Sequence, residues 1–128
     1  PWGNGLPPRS NYANLADSSA KNILVNIIQN YEDGYASTSP VGTFRANLLG
    51  IFDGSGNVSE WISDYYSIPT PGITEIVIDP NGPEFGVQHV IRGSSWRHSN
   101  VIQLRGSFRD FGSEGQVDIG FRLARNIN

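Results

Sequence analysis

Cysteine and methionine are both absent from this 128-residue chain. Without a thiol there is no disulfide, no thiolate zinc site, no iron–sulfur cluster and no cysteine nucleophile. The compartment stays open, because a domain of this size folds without disulfides. A basic excess is missing too. Nine Lys and Arg stand against twelve Asp and Glu, for a net charge of −3, and no basic stripe breaks the balance, so nucleic acid is not an expected partner. Long hydrophobic runs are also lacking. The longest, residues 23–28, is broken by Asn26 and falls far short of the ~20 residues that span a bilayer; no membrane partner is expected. The chain opens on Pro-Trp-Gly with no initiator, which suggests a processed piece or a fragment of a longer reading frame.

What is present is a globular, turn-rich composition: 38% hydrophobic, 16% charged, 15 Gly and 8 Pro. The length suits one compact domain over residues 1–128. Residues 1–20 are turn-forming throughout, and 21–30 (KNILVNIIQN) are ambiguous between a short strand and a helical turn. Strand-like alternation is expected over 58–62, 73–78, 89–93, 104–109 and 119–124. The expected class is therefore α+β with little regular secondary structure, short strands and very long loops. Loops of that length need something to pin them, and with disulfides excluded a bound hard cation is the natural candidate.

The segment 53–61 (DGSGNVSEW) carries Asp53 and Glu60 on either side of a glycine-rich bend. Carboxylates and inward-turned carbonyls suit calcium, which takes six to eight oxygen ligands. Asx turns without metal account for the same residues.

Three stretches extend this into a family pattern. PVGTFRANLLGIFDGSGNVSEWISDYY (40–66), HVIRGSSWRHS (89–99) and DIGFRLAR (118–125) resemble, in order, segments of the formylglycine-generating-enzyme (sulfatase-modifying factor) family, and PWGN, NYANL and EDGY fall in the same order ahead of them. The resemblance implies a C-type-lectin-like fold with short antiparallel strands, and at most two calcium ions. One would be held by Asn14, Leu15, Asp33 and Tyr35. The other would be held by Asp53, Gly56, Val58 and Glu60.

The family's oxidation chemistry runs on two cysteines after its G-G-S-[WY] motif, which bind copper(I). Here His98 stands at the first position and Ile102 or Gln103 at the second. Soft thiolate ligation has no substitute in these residues, so no copper is expected and no catalytic residue is assigned. Ser95, Trp96, His98 and Arg105 are candidates for a ligand groove; His98 as an ordinary groove histidine and the late arginines and acids as loop-tying ion pairs are the structural alternatives.

The matched region corresponds to the C-terminal half of the family domain, which implies self-association or pairing with a separate N-terminal half to cover the exposed face. The expected function is a calcium-stabilised, non-catalytic ligand- or protein-binding module. A divergent metal-dependent oxidase or sulfatase-modifying enzyme, and a truncated product without selected activity, are the alternatives.

Overall fold

The structure is a computed structural model that describes residues 5, 6, 8, 9, 11–68, 72, 76, 78 and 80–125. Four strands form one sheet: β1 (Ser59–Tyr65), β2 (His89–Arg92), β3 (Asp110–Gly112) and β4 (Ile119–Gly120). Their order is β3-β2-β1-β4. β2 lies antiparallel to both β1 and β3, with Trp61 opposite Ile91 and Val90 opposite Phe111.

β4 breaks the expected all-antiparallel arrangement. It runs parallel to β1, with Ser59 opposite Ile119. The antiparallel hairpin partner β2 already occupies one edge of β1, and the chain returns to the other edge only after the long excursion through β3. Ser59 N–H donates to the Asp118 carbonyl at 2.9 Å and starts that pairing. The sheet is therefore mixed. Helix is scarce, as the low regular secondary structure expected of the chain implies: the only helix among the described residues is a 3-10 turn, Ser18–Ala20, capped by Asp17, whose side chain accepts from Ser19 N–H at 2.8 Å.

Residues 104–109 alternate like a strand but do not form one. The amides of Leu104, Arg105 and Phe108 close turns onto Asn100, Ile102 and Arg105, which puts Leu104 in the core. The carbonyls of Gly106, Ser107 and Phe108 face the Arg92 guanidinium at 2.7, 3.2 and 2.6 Å. Three carbonyls on a planar five-donor cation hold a curled loop where a strand was expected. The expected strand 73–78 lies largely outside the described residues.

The core sits beside the sheet. Ala13, Leu15, Ile28, Tyr31 and Leu104 form one buried cluster, drawn from loop segments far apart in sequence. Trp96 is buried as well and Trp61 is half-buried, while Trp2 lies outside the described residues. Ile28 N–H closes the first loop on the Ala16 carbonyl at 2.7 Å, and Ala16 N–H to the His98 carbonyl at 3.2 Å and Asn57 N–H to the Asn14 carbonyl at 2.8 Å are among the bonds that tie it to the rest.

Gly56 is packed tightly against the first loop. Its φ is +91°, and a Cβ there would lie 2.7 Å from the Asn14 carbonyl oxygen and 2.9 Å from Ala13 Cβ. Gly50 also has a positive φ, +76°, but its Cβ would meet nothing within 4 Å. Gly50→Ala then bears only the backbone cost of about 1 kcal/mol, while Gly56→Ala adds a backbone clash and loses about 3 kcal/mol or more. Urea denaturation of the two variants checks the ranking; equal losses would count against this packing.

Candidate functional site

The residues expected to hold a first cation meet in space. Asp33 Oδ2 accepts from Leu15 N–H and Oδ1 from Tyr35 N–H, each at 2.8 Å. Asp17, fully buried, accepts from Asp33 N–H through its other carboxylate oxygen. Two carboxylates thus stand together, and neither joins the ion pairs found among the described residues, Arg97–Asp118 and Arg122–Glu60. Burial pushes the Asp33 carboxyl up to about 6, against the pull of the two amides, and the charge of Asp17 pushes the same way. The neighbouring Tyr31 hydroxyl, which donates to the Ala13 carbonyl, is raised to about 12, chiefly by burial.

Asn14 completes this group. Its Nδ2 donates to the Ser37 carbonyl at 2.7 Å and to Asn57 Oδ1 at 3.4 Å. Those two acceptors settle which way the amide points. Its Oδ1 is then buried with no partner. Ser39 Oγ and Trp96 Nε1 share that state, but each of those can donate, whereas Asn14 Oδ1 can only accept. A buried acceptor with no donor is costly unless a water or a cation meets it.

Of the second expected set, Asp53, Gly56 and Val58 lie on the loop entering β1 and Glu60 is the second residue of β1 itself. Asp53 sits at φ +51° and its Oδ2 accepts from Gly42 N–H at 2.7 Å. Gly56 is wedged against Asn14, and Val58 packs against Gly120. Glu60 turns to Arg122, which donates to both of its carboxylate oxygens.

Of the groove candidates, Ser95, Trp96 and His98 come together and Arg105 does not. Ser95 is fully buried and donates its hydroxyl to Asp118 Oδ2 at 2.7 Å. His98 Nδ1 accepts from the Ser95 backbone N–H at 3.2 Å. The serine proton therefore points at a carboxylate and the imidazole at an amide, which is not the order that activates a serine nucleophile. Trp96 is a buried anchor with Arg97 over its ring at 5.8 Å. Arg105 is exposed on the turn after Leu104. Next to this cluster is a polar cleft of about 740 Å³ between residues 25–29 and 97–103, lined by Asn26, Gln29, Arg97, Ser99, Asn100 and Gln103. Gln103 is one of the two residues at the second cysteine position; His98 does not line the cleft, and its ring meets Phe108 edge-on at 6.4 Å.

Residues that sequence reasoning passed over do much of the organising. Asn57, at φ +63° and almost fully buried, accepts from Ser39 N–H at 2.9 Å and donates to the Ser39 carbonyl at 3.3 Å. An Asn after Gly in a bend was the available signal, since Asn tolerates the left-handed region. Asp17 carried no signal beyond that of a cap.

Burial lowers the His98 pKa, with the charges of Asp118 and Asp110 pulling it back and Arg97 adding to the lowering. A neutral imidazole accepting from Ser95 N–H fits that direction. The unfolded chain takes up this proton near pH 6.5 and the folded chain only below it, so the contribution of His98 to stability is held above about 6.5 and lost as pH falls towards its folded value. His98→Gln, which keeps an acceptor for Ser95, should lessen the fall in unfolding free energy between pH 7.5 and 5.5. Chemical denaturation at the two pH values reads this out; an unchanged fall would show that His98 is not its source.

The family profile of the sulfatase-modifying factor enzyme 1-like domain matches residues 1–127. The chain is similar to the formylglycine-generating enzyme of Streptomyces coelicolor, 34% identical over 101 residues, which is 76% of this chain and 32% of that enzyme. It is similar to the serine/threonine-protein kinase Pkn1 of Chlamydia trachomatis, 35% identical over 95 residues, 72% of this chain and 15% of that protein. Among solved structures it resembles PvdO from Pseudomonas aeruginosa at a TM-score of 0.64 and 27% identity, covering 94% of this chain and 42% of that one. The chain spans about a third or less of the length of these curated relatives. With the profile running through all but its last residue, this chain belongs to the sulfatase-modifying factor enzyme 1-like domain family, as a member without cysteine.

Proposed function

We propose that the chain is a non-catalytic binding module on a C-type-lectin-like scaffold. One calcium ion braces it at Asn14, Leu15, Asp33 and Tyr35, and the cleft between residues 25–29 and 97–103 takes the ligand. The observation that carries the reading is Asn14 Oδ1, a buried pure acceptor without a donor among the described residues, next to Leu15, whose N–H donates to Asp33; Asp33 and its neighbour Asp17 join no ion pair among those residues. A hard divalent ion supplies the missing positive charge to an oxygen-only donor set of this kind. Here the Asn14 and Asp33 side chains and the Leu15 and Tyr35 carbonyls would hold it.

The brace bears on the cleft through the chain. Asn14–Leu15 and Asp33–Tyr35 stand at the two feet of the 16–31 excursion, whose outer part forms one cleft wall. Tyr31 carbonyl accepts from Ser18 N–H at 3.2 Å, so the excursion is closed just above those feet. Side-chain amides with both donors and acceptors line that cleft, which suits a polar, uncharged ligand surface. The relatives bear the names of a formylglycine-generating enzyme and a kinase. That spread accords with one scaffold serving different functions through its sites.

The partner expectation belongs to the same proposal. Leu48, Leu49, Phe121 and Leu123 are largely or fully exposed, which supports a covered face, whether by a second copy or by a separate N-terminal half of the domain.

Calcium should raise the melting temperature of the chain, since an ion that binds only the folded state stabilises it by about 2.7 kcal/mol at a hundredfold excess over Kd. Asp33→Asn should abolish the rise. A thermal melt that calcium and chelator leave unmoved would sink the brace. Copper with a thiol reductant should give no oxygen uptake above a protein-free control, and uptake would return the chain to the enzyme class. In sedimentation at micromolar concentration, the isolated chain should run larger than a monomer; a clean monomer removes the second-copy form of the covered face.

A further inference from the structure

The loop 53–60 carries the two carboxylates, Asp53 and Glu60, that the family resemblance assigns to a second calcium ion. In this chain Glu60 already has a cation. Arg122 Nε donates to Glu60 Oε2 at 2.7 Å, and Nη2 donates both to Glu60 Oε1 and to the Phe52 carbonyl, the latter at 3.0 Å. Both oxygens of the carboxylate are engaged in the forked geometry that guanidinium and carboxylate share. The bond to Glu60 is the leading cause of the raised Arg122 pKa, and the charges of Glu60 and Asp53 both add to it.

Asp53 gives one oxygen to Gly42 N–H at 2.7 Å. No side-chain atom of residues 53–60 is buried without a partner, in contrast to Asn14 Oδ1. The two loops thus differ in charge: Asp17 and Asp33 join no ion pair among the described residues, while Glu60 is paired with Arg122. A divalent ion at the second loop would face a full positive charge already seated on its principal ligand.

We propose that Arg122 is the resident cation of this loop, so that the Asp53–Glu60 loop of this chain takes no calcium. The guanidinium does from inside the chain what a bound ion would do from outside. It draws the loop entering β1 onto the segment that leaves β4, holding Phe52 and Glu60 to residue 122. The inference uses the family reading of the second site; it does not depend on the ion proposed at Asn14 and Asp33.

The test counts calcium ions on the intact chain by native mass spectrometry and titration calorimetry, for wild type, Asp33→Asn and Glu60→Gln. The expected result is one ion on wild type and on E60Q, and none on D33N. An ion that survives D33N and disappears in E60Q overturns the inference, as do two ions on wild type with one lost in E60Q. A wild type that binds no calcium upholds the inference for this loop while sinking the brace at Asn14, so the two readings fail separately. The tie itself is tested by thermal melts in excess chelator of E60Q, Arg122→Gln and the double variant. Each single change should lower the melting temperature by a few degrees, and the double should lose no more than the larger single loss, because both remove one interaction. Strictly additive losses overturn the tie.

Discussion

One asparagine joins four loops. Asn57 N–H donates to the Asn14 carbonyl at 2.8 Å, its own carbonyl accepts from Trp96 N–H at 2.9 Å, and its side-chain amide pairs with both backbone groups of Ser39 while accepting from Asn14 Nδ2. Buried bonds of this kind contribute about 1 kcal/mol net each, but a broken one leaves a desolvated polar group and costs more. The constraint is therefore stronger than the sum suggests. With Asn57 in place, the Gly56 backbone has to pass against Asn14, the G-S-S-W turn has to sit under the bend, and Asn14 has to direct its amide nitrogen at Ser37. What is left over is Asn14 Oδ1.

The rest of the molecule follows the same economy. It has one short sheet and, among the described residues, one 3-10 turn, so most backbone groups lie outside regular ladders and must find partners elsewhere. Side chains supply many of them. Arg92 collects three carbonyls, Arg122 collects Glu60 and a carbonyl, and Ser94 Oγ receives Gly56 N–H at 3.1 Å. Such a scaffold keeps long loops in place without disulfides, and it makes the loops available as binding surface while the sheet stays fixed.

The two cation loops show how one chemical problem receives two arrangements. Asp17 and Asp33 stand together in one, Glu60 is drawn to a guanidinium in the other, and carboxylates held close are unfavourable without a positive charge. At Glu60 the chain brings its own, from 62 residues downstream. At Asp33 it brings none, and burial raises the carboxyl.

Family membership, the absence of thiol chemistry, the short strands at β1 and β2 and the grouping of Asn14 with Asp33 were all legible in the residues, because each rests on local composition or on a fixed order of short motifs. Alternation in residues 104–109 misled, since a period of two is the same whether the backbone pairs with a strand or curls around an arginine. Direction was equally hidden: nothing in DIGFRLAR distinguishes a parallel partner of β1 from an antiparallel one, and the long return through β3 decides it. Charge pairing depended most on the tertiary structure. Asp53 and Glu60 bracket a bend whose oxygens suit calcium and to which the family resemblance assigns an ion, and only the approach of Arg122, a contact that sequence distance conceals, shows which positive charge Glu60 keeps. Local chemistry is written residue by residue; which charge meets which is settled only when distant segments are brought within a few ångströms.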